Sequence, residues 1–209
     1  MASNYHSYVM VNEGEDRKVA FVQRSIGSNT VEQSEVAVTL PYIATHRFTA
    51  GPVRLATASS HIFQFMGSGL NRTLLRFIEV TQVGNATASQ QLEVEIRRLD
   101  TRGTGGTAVT PVPNDPIDSA STATGMVLPS SKGTEDELLA KKSGPILTTA
   151  ATAGHERVVK FTFPESGDPT TKPLIFAAGS TTGFALKNIQ SDVTATVLIT
   201  GEYQEVFWG

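Results

Sequence analysis

The side chains best suited to chemistry in this chain are its four histidines, His6, His46, His61 and His155. None stands in a His-Glu-x-x-His or His-x-His spacing, so no local frame for a zinc ion exists. His61 opens the apolar run His61–Met66 and reads as a partly buried residue at a strand end. His155-Glu156 lies in a glycine-flanked turn and reads as a solvated pair. Gly179-Ser-Thr-Thr-Gly183 misses the Gly-x-Ser-x-Gly spacing of a nucleophile elbow. Asp100-Thr-Arg-Gly103 is an aspartic-protease Asp-Thr-Gly interrupted by Arg102, without a second copy. Gly103-Thr-Gly-Gly106 could cradle an anion through backbone N–H groups, but no Lys-Ser/Thr and no helix follow it, so it reads as a hinge. Glu13–Asp16 and Glu135–Glu137 lack the alternating oxygen ligands of a calcium loop. Carboxylates paired by the fold for glycoside hydrolysis stay open, although one Trp and four Tyr are few for a carbohydrate platform. The expectation is a protein with no catalytic, cofactor-binding or metal-binding residues, one that works by packing against other proteins.

Composition points the same way. The 209 residues contain no cysteine, which excludes disulfides and thiolate metal sites. A formal charge of −3 and scattered basic pairs, Arg97-Arg98 and Lys141-Lys142, give no reason to expect nucleic acid or an anionic membrane as partner. The first eighteen residues lack a basic region followed by an apolar run, and no apolar stretch is long enough to span a bilayer. A soluble protein made in the cytoplasm is expected.

The elements that would position any site are strands. Val193, Ala195, Val197 and Ile199 alternate with Thr194, Thr196 and Thr200, which gives one buried and one wet face. Leu92, Val94 and Ile96 alternate with charges in the same way. His61–Met66 and Leu74–Val80 are richer in apolar residues and read as central strands. Further candidates are 17–23, 35–40, 145–149, 158–163, 174–177 and 184–188, separated by Gly, Asn or Pro clusters. Thr134-Glu-Asp-Glu137 fits a capping box, and Leu138, Leu139, Lys141 and Lys142 continue a short helix over 134–142. The expected fold is all-β, an antiparallel β-sandwich of jelly-roll type with that helix; an immunoglobulin-like sandwich is the alternative.

Residues 1–30 read as an extended N-terminal arm and 31–209 as the sandwich domain, with a proline-rich strap at 102–130. Pro111, Pro113 and Pro116 favour an extended path crossing between sheets, with Val109, Val112 and Ile117 as apolar anchors. Tyr5, Tyr8, Val9 and Val11 on the arm, and Phe207 and Trp208 at the other end, are candidates for filling a groove on this subunit or a neighbour.

The segment 105–124, Gly-Gly-Thr-Ala-Val-Thr-Pro-Val-Pro-Asn-Asp-Pro-Ile and its polar continuation, resembles a pattern in structural proteins of tailed bacteriophages. There an Arg- or Lys-ended strand leads into a Gly-Gly-Thr-Ala-x-Thr-Pro strap, followed by a few strands and a closing strand like 193–203. The likeness runs from about Leu70 to the C-terminus; the strap is its distinctive part. It implies a virion component on the phage head surface, a capsid decoration (cement) protein bound to the major capsid protein and forming a homotrimer. Rival readings are a neck, tail or fibre-base protein, a jelly-roll module that binds host glycan, or an enzyme.

Overall fold

The computed structural model describes residues 6–13, 16–23, 42–55, 60–148, 156–163, 174–179, 182–190 and 195–207. The chain divides into two units, Met1–Tyr42 with Phe207–Gly209, and Ile43–Val206.

The first unit contains an antiparallel hairpin of β1 (His6–Glu13) and β2 (Asp16–Gln23). Its register runs from His6 opposite Gln23 to Glu13 opposite Asp16. The expected strand at 35–40 lies outside the described residues.

The second unit is built from two six-stranded antiparallel sheets, compatible with a β-sandwich. Its elements are β3 (Tyr42–Arg54), β4 (Ser60–Met66), β5 (Arg72–Gly84), β6 (Gln90–Leu99), β7 (Thr107–Val109), β8 (Val112–Pro113) and β9 (Thr124–Val127). They continue as β10 (Glu135–Ile146), β11 (Glu156–Thr162), β12 (Leu174–Phe176), β13 (Gly183–Asn188) and β14 (Thr196–Phe207). One sheet has the order β10-β6-β13-β4-β9-β7, the other β11-β5-β14-β3-β8, with β12 added beside β5. The pairing is nested: β3 lies beside β14, β4 beside β13, β5 beside β11 and β6 beside β10. The chain therefore folds back on itself about the 100–134 connection, and the short strands β7 to β9 lie within that connection.

One core joins the inner faces. Phe48 stacks on Phe63 with ring centroids 4.8 Å apart, and Phe65 meets Tyr203 edge-on at 4.9 Å. Val197 and Ile199 are buried while Thr196, Leu198 and Thr200 are half-buried, as the alternation requires. At the sandwich side formed by β10 and β11 the two sheets approach backbone to backbone. A Cβ on Gly144 would sit 1.9 Å from the Val158 carbonyl oxygen, so only glycine fits there.

Among the described residues there is no helix, and the expected one at 134–142 is instead the first part of β10. Its Glu, Leu, Ala and Lys residues are good helix formers, but β6 offers an open sheet edge. Pairing from Glu135 opposite Leu99 to Ile146 opposite Gln90 satisfies the backbone there. Two register shifts, between Glu135 and Leu138 and between Leu138 and Ala140, absorb the mismatch. Lys141 and Lys142 stand exposed on this edge strand, a placement that discourages further pairing.

The strap is divided between the sheets. β7 pairs with β9, whereas β8 pairs with β3 at His46 and Arg47. Of its three expected anchors, only Val109 packs against the core. Val112 and Ile117 are 46% and 81% exposed, because backbone and polar side chains fix the strap and leave these two outside.

Candidate functional site

Two buried polar clusters and one surface are the places where this unit could act. The first cluster centres on His61, 1% exposed on β4. His61 and Gln64 are three residues apart, which would put them on opposite faces of a regular strand. A register shift between Leu186 and Lys187 of the neighbouring strand passes over Ile62 and brings the two together. Gln64 Nε2 lies 2.6 Å from His61 Nδ1, and the Gly103 N–H donates to Gln64 Oε1 at 2.8 Å. On the other side His61 Nε2 is 2.8 Å from Glu135 Oε1. Lys187 donates to the second Glu135 oxygen at 2.8 Å, and Arg97 approaches that oxygen at 3.9 Å.

Burial lowers the His61 pKa, and the hydrogen bond and charge of Glu135 only partly offset it. For Glu135, burial acts to raise the pKa, but the hydrogen bonds from Lys187 and His61 outweigh it and hold the carboxyl below its ordinary range. A general base needs a free nitrogen within reach of a substrate proton. Both ring nitrogens of His61 are occupied inside the protein, so the cluster ties elements together.

The second cluster joins the strap to β14. The Tyr203 hydroxyl donates to Ser121 Oγ at 2.6 Å, the Ala123 N–H donates to the same oxygen at 3.0 Å, and Ser121 donates to Glu205. Asn71 donates to the other Glu205 oxygen at 3.1 Å. Both lone pairs of Ser121 are occupied, which leaves none for nucleophilic attack. Burial raises the Tyr203 pKa well above the ordinary phenol value; the Glu205 charge adds to this and the Ser121 hydrogen bond opposes it. Nearby, His46 Nε2 donates to the Ser119 carbonyl at 3.0 Å and its ring stacks on Tyr203. Among the described residues no three His, Asp or Glu side chains converge to hold a metal ion.

The surface is the strap itself. The Asn114 N–H donates to the Thr45 carbonyl at 2.8 Å, and the Asn114 side chain donates to Glu202 at 3.1 Å. Asp115 then turns the chain, accepting from the Ile117 N–H at 3.0 Å through its carboxylate and from the Asp118 N–H at 3.0 Å through its carbonyl. These bonds hold Val112 and Ile117 outward on a fixed frame. An open groove of about 440 Å³ lies between β3 and the β7–β9 pair, bordered by Thr49, Pro52, Arg54, Ala108, Val109 and Leu128. Its mix of hydroxyls, aliphatic carbon and one cation matches no single ligand chemistry.

Of the residues singled out in the sequence as contacts, Tyr8, Val9 and Val11 occupy β1, opposite Phe21, Ala20 and Lys18. Phe207 ends β14, and Tyr5 and Trp208 lie outside the described residues. His155 and the turn 166–169 also lie outside them. The Gly103–Gly106 cluster serves backbone packing. A Cβ on Gly103 would meet the Ser131 carbonyl oxygen at 2.3 Å, and one on Gly106 would meet that of Val127 at 2.4 Å. The Gln64–Gly103 contact and the Ser121 cluster had no local signature in the sequence.

Comparison with protein-family models, with curated proteins and with solved structures finds no match for this chain.

Proposed function

We propose that the second unit is a jelly roll and that the protein is a structural component of a tailed-phage particle, binding other proteins without catalysing a reaction. The fold reading is supported by the nested pairing. Strands β3-β14-β5-β11 face β4-β13-β6-β10, the order produced when one long hairpin is rolled into two four-stranded sheets. Jelly rolls recur in viral capsid proteins and in lectins, so the fold alone does not choose a function.

The observation that carries the functional reading is the strap. Val112 and Ile117 are held out of the core by hydrogen bonds to β3 and β14, at the segment that resembles phage structural proteins. Burying them against a partner would gain the hydrophobic contribution that the protein's own fold leaves unused. The polar clusters fit the same reading, since the His61 ring nitrogens and the Ser121 hydroxyl are engaged within the protein. The specific role proposed is capsid decoration: a homotrimer on the phage head surface, in contact with the major capsid protein. The N-terminal segment, which forms the β1–β2 hairpin and not the extended arm expected, and the aromatic C-terminus are further contact elements.

Mass spectrometry of purified virions, quantified against the major capsid protein, tests this. A ratio near one copy, or one third of a copy, per capsid subunit supports decoration. A ratio of a few per cent moves the protein to the neck, tail or fibre base. Absence from the particle rejects the proposal and returns attention to a glycan-binding module or an enzyme.

A further inference from the structure

The connection that carries the strap leaves the sheet near Gly103 and re-enters it at Glu135. Both ends are fastened to the same two neighbours on β4, Gly103 to Gln64 and Glu135 to His61. The bonds fix the protonation of the ring. The Gly103 N–H needs an acceptor, so Gln64 must present Oε1 to it. That leaves the Gln64 NH2 facing His61 Nδ1 at 2.6 Å, and Nδ1 must accept. The proton of the neutral ring is therefore on Nε2, which donates to Glu135.

A second proton has only Nδ1 to occupy, where it would point at the NH2 of Gln64. Rotating the amide would relieve that contact but turn the NH2 toward the Gly103 N–H. The imidazolium N–H is the stronger donor, so the amide turns its oxygen to Nδ1–H, and the bond lost is the one from the Gly103 N–H. The bond to Glu135 survives and gains opposite charge. We propose that this cluster is an acid-operated latch: protonation of His61 frees the Gly103 end of the strap while the Glu135 end stays held.

The charges around the ring are compatible with such a switch. Among the described residues, Glu135 of β10 faces it directly, with Lys187 of β13 on the far carboxylate oxygen. Arg97 of β6 approaches Glu135 and is itself paired with Glu95 at 2.9 Å. The Lys132 and Lys187 charges oppose protonation and the Glu135 charge favours it, while burial delays it to below the ordinary histidine range. Beyond Gly103 the freed segment is held by the Thr104–Ser131 bridge, with bonds of 3.0 and 3.1 Å, before β7 begins.

The latch is independent of the particle reading and is tested on the full chain by 15N NMR. At neutral pH the His61 ring should show a proton on Nε2 and none on Nδ1. As His61 titrates, protection of the Gly103 amide against exchange, corrected for intrinsic pH dependence, should fall about tenfold, the loss of one hydrogen bond. Protection at Ile78 and Ile199 should hold. A ring protonated on Nδ1 at neutral pH, unchanged Gly103 protection through the titration, or a simultaneous loss at Ile78 would each overturn the proposal. His61→Gln should abolish the step. Should that variant fail to fold, Glu135→Gln keeps an acceptor for Nε2–H and removes the charge that favours the imidazolium. The titration and the Gly103 step should then move together to lower pH; a step that stays in place refutes the latch.

Discussion

Replacing Ile117 by Ser separates the protein's own stability from its binding. Ile117 is 81% exposed and its backbone position is set by Asp115, so the side chain contributes little to folding. Substitution should change the unfolding free energy by no more than about 0.5 kcal/mol, as for surface sites without special contacts. If the residue is buried against a partner, its removal forfeits about 1.5–3 kcal/mol of transfer free energy. At 1.4 kcal/mol per decade, that is a loss of about 10- to 150-fold in affinity. The assay is a titration of labelled protein onto particles depleted of it, beside a thermal melt of the same sample. Val112→Ser should act in the same direction but less strongly, because Val112 already has half of its surface covered. Asp115→Ala should weaken binding without removing any apolar surface, because it releases the turn that aims Ile117. Wild-type affinity in Ile117→Ser, with an unchanged melt, would refute the strap as the contact surface. A large drop in melting temperature would instead show that the side chain serves the fold.

Three further outcomes follow from the interior. Gly144→Ala should destabilise by about 2 kcal/mol or more in chemical denaturation, because its Cβ meets the Val158 carbonyl at 1.9 Å; Gly69→Ala, with nothing within 4 Å, should be near neutral. Phe48→Ala should cost about 3–5 kcal/mol, since the ring is 1% exposed and packs on Phe63, Phe65 and Tyr203. Stability should fall with acidification in two successive windows, followed by denaturant melts across pH. Below the ordinary histidine value of 6.5 the unfolded chain takes up a proton that native His61 resists, which removes up to about 1.4 kcal/mol per pH unit until the folded pKa is reached. Glu135 acts lower: its contribution is complete above the ordinary value of 4.5 and is lost as pH falls through its depressed folded value. His61→Gln should remove the first window and leave the second.

The strands whose alternation stood out in the sequence, β6 and the start of β14, are those with one core face and one half-wet face. There the period of two is written in residue type, as Leu92, Val94 and Ile96 show. β3 was missed because its inward positions, Ala44, His46, Phe48 and Ala50, include only one large apolar residue, and Gly51-Pro52 resembles a break. The helix expected at 134–142 failed for the opposite reason. Its local signals were strong, but the decisive partner, β6, lies more than 30 residues earlier, and no local pattern announces it. The nested pairing is of the same kind: β3 finds β14 at the far end of the unit, a relation carried by the summed core and not by any one segment.

The polar sites were hidden by the same distance. His61 and Gln64 are visible as a pair only once the irregularity at Ile62 cancels their opposite parity, and Glu135 reaches His61 across 74 residues. What the sequence did hold was a trace of the consequence, the glycines at 103, 106 and 133, read as a hinge or passed over. Each is needed because another backbone crosses at the point where a Cβ would stand. A glycine cluster beside a proline-rich segment can thus mark a tightly fastened loop as readily as a free one. On the proposed reading, the fastening is what prepares the exposed aliphatic residues for contact. Val112 and Ile117 on a slack loop would have to be ordered on binding, at a cost of about 1–2 kcal/mol for each backbone residue fixed. The Thr45, Glu202 and Asp115 bonds meet part of that cost during folding, and the Ser121–Tyr203–Glu205 cluster fixes the strap just beyond them. A strap held along its length and apolar at its crest is prepared for a partner, and loosening either fastening should weaken that contact before it unfolds the core.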